Sequence, residues 1–148
     1  MSNAGDLEKQ LLGVWKVDSL YTEDKTTGEK KKTYGERPNG YAIFAPGKRM
    51  LMILTAEARK VPITDGDRVA AFLSMVSYSG VYRVEGDTLI TKADVSWNES
   101  WIGTEQARFV QLEGETLTAN TPWMPDPNTP GNPVVRFVVV WSRVKAAQ

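Results

Sequence analysis

Turn-forming residues recur at intervals of about 8–12 residues along most of this chain, and the segments between them alternate apolar and polar side chains. Such spacing leaves no room for strand–helix–strand crossovers, so it confines the chain to antiparallel pairing in a sandwich or a closed barrel. Val14 to Tyr21 sets Trp15, Val17, Ser19 and Tyr21 against Lys16 and Asp18, the pattern of a half-buried strand. Tyr41 to Ala45, the Pro46-Gly47 turn and Arg49 to Thr55 read as a hairpin, with Phe44, Met50, Met52 and Leu54 facing inward. Further strands are expected at Gly80 to Val84, Thr88 to Trp97, Glu105 to Leu112, Thr116 to Asn120 and, rich in valine, Val134 to Val144. Two helices interrupt them. A short one at Asp6 to Leu12 ends at Gly13, and a longer one near 65–77 follows a Thr64-x-x-Asp67 capping box with Val69, Phe72, Leu73 and Val76 at helical spacing. Five of the eight prolines lie between Pro122 and Pro133, which marks an irregular loop. The expectation is a mainly β chain, an up-and-down antiparallel barrel of about 8–10 strands. One domain spans 6–148, with 1–5 set aside as a tag remnant or disordered lead.

What the chain lacks narrows its chemistry. With no cysteine there are no disulfides and no thiolate nucleophile, and with no histidine there is no imidazole base, triad or imidazole-ligated metal. No metal and no cofactor is predicted. The 18 basic and 18 acidic residues cancel, so nothing draws the chain to nucleic acid. Lys30, Lys31 and Lys32 sit among Glu23, Asp24, Glu29 and Glu36 and read as solvated hairpin surface. No apolar run reaches the ~20 residues of a membrane helix, and no leader core opens the sequence, so a cytoplasmic location is expected.

Gly13-Val14-Trp15 at the head of the first strand and Trp141-Ser142-Arg143 at the end of the last resemble the lipocalin signature. The pattern Pro38-x-Gly40, Pro46-Gly47, Tyr78-x-Gly80-x-Tyr82, Trp101-x-Gly103-Thr104-x-Gln106-x-Arg108 and Trp141-x-Arg143 is similar to the bacterial lipocalin-like domain family of small stand-alone barrels. This resemblance implies a calycin-type barrel with an internal cavity, closed at its floor by Trp15 with Arg143 packed across the indole. Gly13, Trp15 and Arg143 are thus its structural signature. Many members of that family carry a histidine on the strand after Gly86-Asp87, where this chain has Thr91, which removes any histidine-dependent chemistry.

Alternation carried across the strands points Tyr21, Phe44, Met50, Met52, Tyr82, Thr91, Trp97, Gln106, Arg108, Val139 and Trp141 inward. Aromatic and thioether groups with a few polar ones suit a small apolar or amphipathic ligand, and they equally suit a filled core. Arg108 is the informative residue. A guanidinium on an apolar face must meet an acid, lean to the barrel mouth or await an anionic ligand. Trp123 and Met124 in the proline-rich loop either cover an opening or pack on the outer wall. The leading expectation is ligand binding in the barrel interior. The alternative is a cyclase, isomerase or hydratase acting on a polyketide- or terpenoid-like substrate, with Glu105 or Tyr82 as acid or base and Arg108 stabilising an oxyanion. A homodimer through the valine-rich last strand or an exposed sheet edge is a third possibility.

Overall fold

The computed structural model describes residues 4–126 and 128–146. Its strands are β1 (Gly13–Asp24), β2 (Lys30–Lys31), β3 (Asn39–Ala45), β4 (Arg49–Thr55), β5 (Met75–Glu85), β6 (Thr88–Ser96), β7 (Glu105–Glu113), β8 (Thr116–Asn120), β9 (Met124–Pro125) and β10 (Val134–Arg143). Eight of them close into an antiparallel barrel in the order β1-β3-β4-β5-β6-β7-β8-β10, with β10 returning to β1; the two-residue strands β2 and β9 are appended to β1 and β10. Inward positions are mostly buried and apolar, as in the Ala42, Phe44, Met50, Met52 and Leu54 set of the β3–β4 hairpin. Closure pairs β10 on both sides, with β1 and with β8, so the last strand offers no free edge for a partner.

One register change matters for the interior. Strand β1 shifts against β10 between Val17 and Ser19, inserting one extra residue at Asp18. Trp15 and Val17 face inward before the bulge, and Leu20 and Thr22 are the buried pair after it. Strict alternation placed Ser19 and Tyr21 inside; the bulge turns Tyr21 to the outer wall, where the Lys30 ammonium lies 5.5 Å from its ring.

Helix α1 (Ala4–Leu11) plugs the floor. Leu7 and Leu11 are buried there, and Glu8 accepts a hydrogen bond from the Val84 amide at 3.1 Å. Ala4 and Gly5 belong to this helix, and Met1 to Asn3, the rest of the segment set aside at 1–5, lie outside the described residues. Helix α2 (Asp65–Leu73) begins with the expected capping box between Thr64 and Asp67 but stops at Leu73. Val76 and Ser77 belong to β5, because the backbone from Met75 onward pairs with β4 instead of continuing the helix. Helix α2 buries no residue and sits at the open end opposite α1.

Candidate functional site

The barrel interior is hollow near its mouth. A cavity with about 60 Å³ open to the centre of a water molecule is lined by Leu20, Tyr34, Met52, Leu54, Val76, Trp97, Trp101, Arg108, Thr121, Met124, Asn128, Phe137 and Val139. That exceeds the space of one or two waters. Below it lies a second, of about 50 Å³, lined by Ala42, Phe44, Met52, Tyr78, Leu89, Arg108, Val110, Leu117, Ala119, Val139 and Trp141. Met52, Arg108 and Val139 border both.

Arg108 stands in the partition between the two. Its guanidinium carbon lies 5.7 Å from the Tyr78 ring and 5.8 Å from the Trp101 ring, and one terminal nitrogen donates to the Ala107 carbonyl at 2.8 Å. Among the described residues no carboxylate pairs with it. Three readings were open for this side chain, and the acid partner is the one the structure does not supply. Above Arg108 the aromatic rings form a continuous wall: Tyr78 to Trp101 at 5.4 Å, Trp101 to Trp97 at 4.9 Å, and Trp97 to Phe72 of α2 at 6.3 Å. The short helix η1 (Glu99–Trp101) and the left-handed Gly103 turn the chain so that Trp101 folds back over the mouth. The Trp97 indole N–H is buried with no acceptor among the described residues. Burial pushes the Tyr34 hydroxyl up to about 12, with the Asp126 carboxylate adding to it, so Tyr34 stays a neutral phenol at physiological pH.

The structure divides the residues expected from sequence. Met52, Trp97 and Arg108 reach the mouth cavity, and Phe44, Met52, Arg108 and Trp141 the inner one. Met50, Tyr82 and Thr91 are buried but line neither, and Tyr82 packs edge to face on Phe44 at 5.2 Å. Gln106 donates to the Thr104 hydroxyl at 2.8 Å and also borders neither cavity. Glu105 is on the outer wall, ion-paired with Arg83, whose hydrogen bond holds its carboxyl below the usual glutamate range. Burial, with Glu8 nearby, raises Tyr82, and no hydrogen bond joins either group to Arg108. The acid–base set of the enzyme alternative is therefore not assembled. Sequence reasoning missed Leu20 of β1, Tyr34 of the loop before β3, Val76 at the start of β5, Thr121 and Asn128 of the segment after β8, and Phe137 of β10. The Trp123-Met124 pair splits: Met124 lines the mouth, while Trp123 lies outside under the Arg136 guanidinium at 4.9 Å.

At the floor, the Arg143 guanidinium sits 4.3 Å from the centre of the Trp15 ring and donates to the carbonyls of Leu12 (2.9 Å) and Gln10. The Trp15 indole donates to Leu11 O at 2.8 Å. A closed eight-stranded calyx, plugged at one end and hollow at the other, is the architecture of a lipocalin-like barrel. The chain belongs to the lipocalin-like domain family, whose model matches residues 12–144. Among solved structures it is similar to Rv2717c from M. tuberculosis, with 12% identity, a TM-score of 0.45 and coverage of 98% of this chain and 99% of that one. No curated protein matches the chain. No helix among the described residues is long and apolar enough to cross a membrane.

Proposed function

We propose that this protein binds a small amphipathic molecule in the barrel, with an anionic group of the ligand meeting Arg108 and its apolar part filling the hollow. The observation that carries this reading is a guanidinium placed at the base of an apolar cavity, held by two aromatic rings and left without a carboxylate partner among the described residues. Cation–π contact offsets only part of the desolvation of that charge, and a ligand carboxylate can accept two guanidinium N–H groups at once. Thr121, Asn128 and Tyr34 add polar groups on the mouth side, so a ligand's charged end is solvated from above and its chain is not.

The test is titration with decanoate and with decanol, read by tryptophan fluorescence, since Trp97 and Trp101 wall the cavity. Decanoate should quench saturably and bind more tightly than decanol. Arg108→Met should weaken decanoate roughly 10- to 150-fold, the worth of a charge-assisted hydrogen bond, and leave decanol almost unchanged. Equal loss for both molecules, or no saturation with either, would overturn the proposal.

A further inference from the structure

The mouth and inner cavities are separated by three side chains, and these differ in how easily they yield. Val139 is β-branched and held on a strand paired on both sides. Arg108 is fixed by two rings and a backbone carbonyl. Met52, with an unbranched and rotatable thioether, is the mobile member. Neither space alone is large enough for a chain of many carbons. Joined, they form one channel that runs from the polar groups at the mouth to a lining almost wholly hydrocarbon and aromatic. The inner space also has a cause in the sequence: Ala42 of β3 and Ala119 of β8 stand where larger apolar side chains would fill it.

We propose that the inner cavity is the tail subsite for a straight-chain carboxylate and that Met52 is the gate setting the longest chain the barrel accepts. This rests on the reading of Arg108 as the site for the ligand's charged end. With that end at the partition and facing the mouth, the tail passes Met52 and descends between Ala42 and Ala119. Each methylene that enters raises affinity about fourfold until the floor at Trp141 is reached.

The experiment is calorimetric titration with straight-chain carboxylates from butanoate to tetradecanoate on the intact protein and on Met52→Ala, Met52→Phe and Ala119→Leu. Wild type should gain affinity with each added carbon and then reach a plateau. Met52→Ala should move the plateau to longer acids, whereas Met52→Phe and Ala119→Leu should move it to shorter ones. Those two variants should cost the long acids at least tenfold relative to their effect on the short ones. Two filling variants on different strands guard against one failing to fold. A chain-length profile the same as wild type in the folded variants overturns the gate while leaving the Arg108 site standing. Loss of all acid binding in Arg108→Met alongside an unshifted profile in the Met52 variants would separate the two readings in the same data set.

Discussion

Gly80 shows how a single missing atom shapes this barrel. A Cβ built on it would lie 1.9 Å from the Lys92 carbonyl oxygen, and one on Gly40 would lie 2.4 Å from the Ile53 carbonyl oxygen. Both glycines sit where neighbouring strands press together, and at Gly80 the β5–β6 register shifts. Since the obstruction at Gly80 is backbone, a side chain there must push two strands apart. Gly80→Ala should lower stability by roughly 1–3 kcal/mol, seen as a lower urea midpoint with an unchanged slope. The spacing Tyr78-x-Gly80-x-Tyr82 was visible in the sequence, but its meaning was not, because no local rule states how near another strand comes. Arg108 is the converse case. Its inward direction followed from alternation along β7, while its lack of an acid partner among the described residues depended on which strands lie opposite.

At the scale of elements, α2 is held by its ends more than by its face. The Asp67 carboxylate accepts from the amides of Ile63 and Thr64, each at 3.1 Å, and pairs with Lys60 at 2.8 Å. Those bonds, the Lys60 contact foremost, lower Asp67 from 3.8 to about 2. The folded state thus favours the ionised form, so the cap is fully present above pH 3.8 and is lost as the pH falls through 2. In a pH titration followed by NMR, the Ile63 and Thr64 amide signals should move with a midpoint near 2. A midpoint near 3.8 would show that the carboxylate is not held. Sequence predicted this start well because a capping box is local, but it placed the helix end near 77 instead of Leu73. Val76 has the periodicity to continue α2, and pairing of β5 with β4 outweighs one more turn. Strand β1 errs for a related reason: the bulge at Asp18 is a property of its fit to β10, so alternation read from β1 alone carries Tyr21 to the wrong side.

For the molecule as a whole, the floor seam joins the two ends of the sheet. Arg143 of β10 spans the Trp15 ring, two carbonyls at the end of α1, and Glu115 at 3.2 Å. Arg143→Ala should cost about 2 kcal/mol by removing the ring contact and leaving those carbonyls unpaired. Chemical denaturation should show the loss, and Arg143→Lys should recover little because a point charge cannot stack and reach both carbonyls. The sequence by itself determined the class of fold and the start of α2, which follow from period-two patterning, turn chemistry and a local capping motif. The seam residues Trp15 and Arg143 came from the resemblance to the lipocalin signature, since no local rule joins two ends of the chain. Tertiary structure alone decided which inward side chains border empty space, which of them only fill the floor, and that the hollow is two chambers divided at Met52. Alternation assigns a face but not a depth along the barrel axis. Depth is set by strand tilt, stagger and bulges, which arise when the strands close on one another.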